Sequence, residues 1–398
     1  MGLIGVTFSP QHRPVVAMSN QYDVIVAGAG VIGASVAYHL SAKGMKVAVV
    51  DAVGPAAAAS GAADGAVSVC SKRPGPMTRL GLESLRYCHG LAQESGPLSG
   101  IFAKRPSYYF STSPQEDQAL DDVSHRLADL GDQVTVLADR QGLSPMPGIG
   151  PIVHRVLEIS GEGHMLGYAA VNAFLRARPL DTFWPCKVLE VGATGNSVLA
   201  HTDQGDLEAP YMVLATGGGA KSLIPALPIT PRSGQLIVTE RDRLPVPLAG
   251  ELMAGAYLLN KNKRQATLPN PPIVIAPLAS GQLLVGSTRE NDGDPSRTDF
   301  KTVQRLLTHA ANCYPALTHL RIIRVFAGVR AAVDDGIPIV GPLDKAPRVI
   351  VATGFEGDGI CLCPLVGREI AAMIAGQAVS EDLQSLSPNR FREGRMAS

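Results

Sequence analysis

The 398-residue sequence has no excess of either charge and no cysteine spacing that would build a disulfide scaffold or a zinc site. Lys plus Arg number 35 and Asp plus Glu number 35, so no overall field attracts a nucleic-acid backbone or an anionic membrane. The six cysteines are scattered and include no Cys-x-x-Cys pair, and the histidines form no metal-spaced set. We therefore expect no nucleic-acid partner, no metal and a reducing, cytoplasmic location.

Long apolar segments, internal repeats and low-complexity tracts are also lacking. Residues 24–40 are apolar but carry three glycines, Ser35 and His39, and they are shorter than the ~20 residues of a membrane helix. We expect no membrane span. Residues 1–17 lack a clear signal-peptide core and are expected to form a flexible leader.

Glycine is abundant, with 42 residues, and it repeatedly follows short apolar runs. Runs at 24–27 and 47–50 bracket a helical stretch at 31–43, which predicts a βαβ unit with parallel strands. Similar strand-then-glycine endings recur at 212–218 and 349–354, so the sequence predicts a discontinuous, doubly wound α/β domain. Residues 107–113, 235–240, 273–277 and 282–287 are typical of an antiparallel sheet, with helices at 77–94, 115–130, 168–178 and 300–312.

The first βαβ unit carries a glycine motif that favours a dinucleotide. Gly28-x-Gly30-x-x-Gly33 follows a strand and opens a helix, where free backbone amides bind a pyrophosphate. Asp51 ends the next strand, where a carboxylate can accept hydrogen bonds from ribose hydroxyls. These residues alone leave NAD and FAD as alternatives.

Five further segments carry a resemblance to a known family: Ser60–Ala66, Leu214–Gly218, Gly328–Arg330, Asp335–Gly341 and Gly354–Gly359. They resemble the D-amino-acid-oxidase superfamily of FAD enzymes from Tyr22 to about Ala378. Within it the chain is similar to the glycine-oxidase and sarcosine-oxidase branch, especially to catalytic subunits of bacterial opine and hydroxyproline dehydrogenase complexes. The resemblance implies FAD, a Rossmann-like FAD-binding domain at 18–85, 152–230 and 322–390, and an α+β substrate domain at 86–151 and 231–321.

The resemblance also implies which residues contact the cofactor. They belong to five glycine-rich turns and to the strands that precede them: Gly28, Gly30, Val31, Ile32, Gly33, Asp51, Ala52, Ser60, Gly61, Ala63, Gly65, Ala66, Val188, Ala215, Thr216, Gly217, Gly328, Arg330, Gly354, Gly357, Asp358, Gly359 and Ile360. The helix after Gly359 would direct its positive dipole end at the flavin edge that becomes anionic on reduction. Cys361 and Cys363, at the start of that helix, are either low-pKa thiolates or small buried residues.

Three side chains are candidates for substrate contact. Arg330, placed just after an apolar strand, would bind a carboxylate in a bidentate manner, the alternative being a salt bridge to Asp334 or Asp335. Arg289 would hold a second carboxylate or stabilise reduced flavin, or it is an exposed arginine at a strand end. His164 is a weaker candidate, in a loop where relatives carry Asp-Gly-x-x-x-Pro.

The expected reaction is oxidation of the carbon–nitrogen bond of an amino or imino acid, of D-amino-acid, hydroxyproline or opine type, by hydride transfer to flavin N5. The strand that offers a tyrosine in glycine oxidase reads Ile-Val-Ile-Ala at 273–276, so glycine itself is not the expected substrate. Two alternatives stay open: a 2-hydroxy-acid dehydrogenase with His164 as base, and a glycine/sarcosine-type oxidase that uses oxygen. The resemblance also implies a partner electron-transfer subunit or a homo-oligomer.

Overall fold

The computed structural model describes residues 21–128, 136–138, 148–241, 248–262, 271–290, 294 and 297–391, so the leader expected at 1–17 lies outside the described residues. The strands are β1 (Val24–Ala27), β2 (Val47–Val50), β3 (Ala66–Val67), β4 (Ala103–Lys104), β5 (Ser107–Ser111), β6 (Val136–Ala138), β7 (Arg155–Ile159), β8 (Gly163–His164), β9 (Asp181–Phe183), β10 (Val188–Ala193), β11 (Val198–Thr202), β12 (Gly205–Ala209), β13 (Tyr211–Leu214), β14 (Ile229–Arg241), β15 (Glu251–Ala254), β16 (Val274–Pro277), β17 (Gln282–Gly286), β18 (Ile322–Val333), β19 (Ile339–Leu343) and β20 (Ala346–Thr353). The helices are α1 (Val31–Ala42), α2 (Pro76–Leu91), α3 (Pro114–Ala128), α4 (Gly167–Arg176), α5 (Ala220–Leu223), α6 (Gly255–Asn262), α7 (Phe300–Cys313), α8 (Gly359–Ile374) and α9 (Glu381–Gln384).

Six strands form the predicted α/β sheet in the order β19-β20-β13-β1-β2-β9. The pairs from β20 to β9 are parallel, and β19 is an antiparallel edge strand. β1 and β2 are fully buried, as expected for parallel strands covered on both faces. The carboxyl ends of β1, β2, β13 and β20 therefore meet at one edge of the sheet.

Helices α1 and α8 pack closely against each other beside this sheet. A side chain at Gly367 would place its Cβ 2.3 Å from the Ser35 hydroxyl, so glycine is required at this crossing. Ser35 donates to the Cys363 carbonyl at 2.8 Å, which also ties the helices together. This packing positions the amino-terminal ends of both helices towards the same edge of the sheet.

The second large sheet has eight strands in the order β18-β14-β17-β16-β15-β5-β7-β6, and only the β15–β5 pair is parallel among those described. Its two long strands, β14 and β18, pair over almost their whole length. Two three-stranded sheets, β10-β11-β12 and β3-β8-β4, complete the described fold.

The α/β fold class with a parallel sheet and a separate antiparallel sheet is confirmed. The predicted helices at 77–94, 115–130, 168–178 and 300–312 correspond to α2, α3, α4 and α7, although residues 129 and 130 lie outside the described residues. Two strands, β7 and β18, fall in ranges expected for the FAD-binding domain but pair within the eight-stranded sheet. The domain boundaries stay a prediction. Within the described ranges, the helices are all too short or too polar to cross a membrane.

Candidate active site

A cavity of about 540 Å³ lies between the carboxyl edge of the six-stranded sheet and one face of the eight-stranded sheet. Leu236, Met253 and Val274 form part of its wall on the antiparallel side. The cofactor residues expected from the sequence that line this cavity are Gly28, Gly30, Val31, Ile32, Asp51, Ala52, Ser60, Ala63, Ala66, Val188, Ala215, Thr216, Gly217, Gly328, Arg330, Gly354, Gly357, Gly359 and Ile360. Segments far apart in the chain therefore converge on one concave site.

The glycine turn after β1 has separate steric roles for its first and third glycines. Gly28 has a φ of +106°, and a Cβ there would lie 2.4 Å from the Ala215 carbonyl oxygen. A Cβ at Gly33 would lie 1.9 Å from the Gly28 carbonyl oxygen, so Gly33 allows α1 to pack on the turn instead of lining the cavity. Gly30 lies at the cavity wall, where a missing side chain lets a ligand approach the start of α1.

The start of α1 can accept an anion. The first amides of a helix have no intrahelical acceptor, and the helix dipole makes this end positive. The Val31 amide donates to the Ser60 hydroxyl at 2.9 Å, which fixes the 60–66 loop beside the turn. Gly30 and Ile32 also line the cavity here. These residues fit the pyrophosphate of a dinucleotide.

Asp51 lies at the end of β2 and is held by backbone amides. Its carboxylate accepts hydrogen bonds from Ala29 at 2.7 Å, Val53 at 2.9 Å and Gly54 at 2.8 Å. These contacts fix a negative group at the cavity edge next to the glycine turn. A ribose hydroxyl can still donate to the remaining lone pairs, because a carboxylate has about four acceptor sites.

The 60–66 loop is packed so tightly that its small residues are required for sterics as well as for ligand access. A Cβ at Gly61 would lie 2.2 Å from the Ala56 carbonyl oxygen, and one at Gly65 would lie 2.5 Å from His164 Nε2. Gly61 and Gly65 were both expected to contact the cofactor, but they pack against other parts of the protein and do not line the cavity. They shape the loop that carries Ala63, Asp64 and Ala66 along the cavity.

At the other end of the cavity, a buried ion pair supports the start of α8. Lys72 Nζ lies 2.8 Å from the Asp358 carboxylate, and both side chains are almost completely buried. Burial lowers the pKa of the Lys72 ammonium, but the charge of Asp358, its hydrogen bond and the nearby Cys361 and Tyr257 together outweigh this effect, and the net direction is upward. Lys72, Gly359 and Ile360 line the cavity, whereas Asp358, expected at the cofactor, pairs with Lys72 behind it.

Arg330 lies inside β18 and not after a strand end, because the strand continues to Val333. Its guanidinium donates to the Ser233 carbonyl at 3.3 Å, the Thr288 carbonyl at 3.2 Å and the Ser287 hydroxyl at 2.6 Å. Asp335, the alternative partner, binds Arg390 instead. Burial and the nearby charge of Arg289 lower the pKa of Arg330 from its ordinary value. Throughout the described part of the chain, no carboxylate forms an ion pair with this cavity-lining guanidinium.

Arg289 is neither exposed nor part of the cavity lining. Its Nη1 lies 3.3 Å from the Glu356 carboxylate, which also binds Arg232 at 2.7 Å. The Arg289 guanidinium stacks on the Tyr257 ring at 5.0 Å. Burial lowers the pKa of Arg289, but Tyr257 and Glu356 outweigh it and the net direction is upward. Arg289 therefore supports the cavity wall through Tyr257 and Glu356, which both line it.

His164 does not reach the cavity. It is buried behind Gly65 and donates through Nε2 to the Asp64 carbonyl oxygen at 2.9 Å. Burial lowers the pKa of His164 to about 4, with the Arg105 charge adding to this effect, so the ring is neutral at pH 7. His164 is placed to hold the 60–66 loop and not to contact a substrate in the cavity.

Several residues that line the cavity were not expected there. Tyr257 comes from α6, so this chain has a tyrosine at the cavity although the strand at 273–276 has none. Lys72 and Glu356 also line the cavity and pair with groups far away in sequence. Asp64 was part of a recognised loop, but its carboxylate had no assigned role. Asp64 and Glu356 lie in segments that the sequence singles out, whereas the pairing of Lys72 with Asp358 is long-range and has no local signal.

The two cysteines at the start of α8 are small buried residues. Cys361 and Cys363 are fully buried and form no disulfide bond with any described cysteine. Burial raises the pKa of Cys363 well above its ordinary value. This environment disfavours a thiolate at neutral pH. Among the residues that the structure describes, His, Cys, Asp and Glu side chains form no group of three or more that could hold a metal ion.

Comparison with known proteins places this site in a family. Glycine oxidase of Bacillus licheniformis is 29% identical over 384 residues, which cover 92% of this chain and 96% of the relative. Hydrogen cyanide synthase subunit HcnC of Pseudomonas protegens is 26% identical, covering 94% of this chain and 97% of the relative. The crystal structure of glycine oxidase from Geobacillus kaustophilus superposes with a TM-score of 0.82 at 24% identity, covering 93% of this chain and 98% of that one.

The family profile described as FAD dependent oxidoreductase matches residues 23–373. This range contains the glycine turn, Asp51, the 60–66 loop, Arg330 and the start of α8. The match confirms FAD as the cofactor expected from the sequence and the resemblance to the glycine/sarcosine-oxidase branch. The chain belongs to the FAD dependent oxidoreductase family.

Proposed function

We propose that this protein oxidises the carbon–nitrogen bond of an amino or imino acid with FAD as its cofactor. The observation that carries the proposal is Arg330, a half-buried guanidinium that lines the cavity and is held by neutral oxygens in the described structure. A guanidinium so placed offers its free donor positions to a carboxylate. The glycine oxidase relatives support an amino acid as the substrate.

The cofactor would be held by the residues that fit each of its parts. The start of α1, with Gly30 and Ser60, fits the pyrophosphate, and Asp51 fits a ribose. Small residues of the 60–66 loop and the start of α8 fit the flavin end of the cavity. Bound FAD supplies the two-electron oxidant that takes the α-hydrogen of the substrate as hydride.

The protein's contribution to the reaction is orientation and charge. Arg330 binds the carboxylate and thereby fixes the direction in which the α-carbon faces. Apolar side chains of Leu236, Met253 and Val274 exclude water from part of the same cavity. The alternative of a 2-hydroxy-acid dehydrogenase is less well supported, since its candidate base, His164, is buried outside the cavity.

A matched pair of substrates tests this function. Alanine and lactate differ only by an amine in place of a hydroxyl, so they separate the two reactions on one scaffold. Anaerobic mixing of the FAD-loaded protein with D- and L-alanine, sarcosine and proline is expected to bleach the flavin band with at least one of them. Bleaching by D- or L-lactate, with none by the amino and imino acids, would contradict the proposal.

We also propose that the electrons leave to an acceptor other than oxygen, either a partner electron-transfer subunit or an artificial dye. Reduced flavin reacts with oxygen through superoxide, which a nearby unpaired cation would stabilise. Two cations beside the flavin end, Lys72 and Arg289, have carboxylate partners in Asp358 and Glu356, and Arg330 would be paired with the carboxylate of the bound substrate. The relative HcnC, named as a subunit, supports an assembly. The described cysteines are buried and form no disulfide bonds with one another, which agrees with a cytoplasmic location.

A further inference from the structure

Asp64 lines the cavity with a carboxylate that has no cationic partner within the described ranges and, unlike Asp51, accepts only one backbone hydrogen bond there. It lines the same cavity as Arg330 and is half-buried. Its Oδ1 accepts a hydrogen bond from the Ala66 amide at 3.2 Å. The carboxylate oxygens form no ion pair with any described Lys, Arg or His side chain. The cavity therefore contains one guanidinium and one carboxylate that do not neutralise each other by direct contact.

The position of Asp64 is fixed by the packing of its loop. His164 donates to the Asp64 carbonyl oxygen at 2.9 Å, and Gly65, with a φ of +95°, passes directly over the His164 ring. On the other side, the Ala62 Cβ lies 2.5 Å from where a Cβ at Gly328 would be, two residues before Arg330. The loop is thus held between β8 and β18, which fixes the Asp64 backbone beside the cavity.

The charged groups around Asp64 act on it through space, and within the described ranges none of them forms an ion pair with it. Burial raises the pKa of Glu251 on β15 to about 8, although Arg105 opposes this effect, so this neighbour is mostly neutral at pH 7. His164 on β8 is neutral because burial lowers its pKa to about 4. Arg105 donates to the Glu251 carboxyl group at 2.9 Å and keeps its positive charge beside this mostly neutral group. Arg330 on β18 also senses the Asp64 charge.

We propose that Asp64 binds the ammonium group of a zwitterionic amino or imino acid whose carboxylate is bound by Arg330, and that it accepts one proton from that ammonium. The inference rests on the proposed function and names a further catalytic residue for it. In this step an N–H bond of the substrate breaks and an O–H bond forms on Asp64. The substrate becomes a neutral amine and Asp64 a neutral carboxylic acid, which later returns its proton to water at its half-exposed side.

A zwitterion can bind both groups at once, because its carboxylate pairs with Arg330 and its ammonium pairs with Asp64. A plain carboxylate would bind Arg330 but would leave Asp64 facing a like charge. Amine oxidation requires the neutral amine, because only its free lone pair can assist loss of the α-hydrogen. An alkyl ammonium with a pKa of about 10 is almost fully protonated at pH 7, so a proton acceptor at the site is needed.

The first test compares binding of isosteric probes with and without the amine. FAD-loaded wild type and Asp64→Asn are titrated anaerobically with proline, both enantiomers, and with cyclopentanecarboxylate; iminodiacetate and glutarate form a second pair. At pH 7 the substitution is expected to weaken binding of proline or iminodiacetate by about tenfold or more, because a hydrogen bond to a charged group is lost. Binding of the two amine-free carboxylates should stay equal or improve. Equal weakening of both members of a pair would overturn the role of Asp64.

The second test is the pH profile of anaerobic flavin reduction by the probe that reduces wild type. For wild type, the second-order reduction rate constant should be flat from pH 7 to 9. For Asp64→Asn it should rise by about tenfold per pH unit towards the pKa of the free amine, because only the amine deprotonated in solution reacts. Parallel profiles in the two proteins would contradict proton transfer to Asp64.

Two further variants serve as controls for both tests, and one further outcome tests the proposed function itself. Asp64→Glu retains the charge and should keep the flat profile at a reduced rate, while Asp203→Asn makes the same chemical change at an exposed site. Flavin content, measured for each variant, reports the integrity of the fold. If neither cyclopentanecarboxylate nor glutarate perturbs the wild-type flavin spectrum, the carboxylate site of the proposed function is wrong and the inference falls with it.

Discussion

Arg330 differs from other cations near the cavity because neutral oxygens, not a carboxylate, hold its guanidinium in the described structure. Lys72 and Arg289 each have an acidic partner. Removing a cation from water without such a partner is costly, and this partial desolvation lowers the pKa of the half-buried Arg330. Binding an anionic substrate offsets this cost, so the site is arranged for a ligand that brings its own negative charge.

Replacing Arg330 by lysine should damage substrate binding although the charge is kept. An ammonium cannot make two parallel bonds to one carboxylate, and the lost charge-assisted bond is worth about 1.5–3 kcal/mol. We expect the second-order rate constant for anaerobic flavin reduction to fall by about ten- to hundredfold at unchanged flavin content. A rate constant near that of wild type would show that Arg330 does not bind the carboxylate.

The buried carboxyl group of Glu251 makes the free energy of unfolding depend on pH. Burial raises its pKa in the folded state to about 8, above the ordinary value of an exposed glutamate. The folded protein therefore holds a proton that the unfolded chain has released, and the unfolding free energy falls as pH rises towards 8. Since His164 has a lowered pKa, the range from pH 6.5 to 8 isolates Glu251 from it.

Urea denaturation at pH 6.5 and 8 should show this effect when wild type is compared with Glu251→Gln. Between these pH values the unfolding free energy of wild type is expected to fall by up to about 1.4 kcal/mol per pH unit more than that of Glu251→Gln, because glutamine cannot titrate. Glu190→Gln, at an exposed position, should behave as wild type. Identical pH slopes for wild type and Glu251→Gln would mean that Glu251 is ionised in the folded protein.

Among the secondary-structure elements, the local sequence pattern predicted those parts of the site that lie within a single strand–turn–helix unit. The strand–glycine–helix order identified β1, α1 and β2, and Asp51 followed from its place at the end of β2. Arg330 was recognised, but its setting was missed: Gly328 interrupts the apolar run, although β18 continues to Val333. Only the pairing with β14, about 100 residues away, keeps the strand extended there.

The same limit explains why the surroundings of the start of α8 could not be predicted. Its support comes from Lys72, which precedes Asp358 by 286 positions and forms an ion pair that no local period signals. Tyr257 could not be predicted for another reason. The strand that offers a tyrosine in glycine oxidase reads Ile-Val-Ile-Ala at 273–276 in this chain, whereas the tyrosine at the cavity comes from α6. Side chains can reach a shared cavity from different elements, so function at a site does not fix which element carries it.

The start of α1 provides a prediction for an element as a whole. Gly30→Val should abolish FAD binding, because the side chain would occupy the cavity wall and press on the Ser60 hydroxyl, which lies 3.2 Å from a Cβ at this position. The ratio of flavin to protein absorbance of the purified variant measures this. Gly90→Val is the matched control, since a Cβ there meets open space. Stoichiometric flavin in Gly30→Val would refute the pyrophosphate role of this turn.

At the scale of the whole molecule, the two sheets form the cavity between them, and the charges at its flavin end are mostly paired. We therefore expect the reduced protein to reoxidise slowly in air and quickly with an artificial acceptor dye. Stopped-flow mixing of substrate-reduced protein with oxygenated buffer measures this rate. Reoxidation at or above the turnover rate, with stoichiometric hydrogen peroxide, would make the protein an oxidase.

The most direct test of the account is a single anaerobic turnover with product analysis. The FAD-loaded protein is mixed with an excess of the amino or imino acid that bleaches its flavin, and the quenched solution is assayed for the carbonyl product and the released amine or the cyclic imine. One equivalent of the carbonyl product or the cyclic imine is expected for each flavin reduced. Flavin reduction without such a product, or no reduction by any amino or imino acid tested, would contradict it.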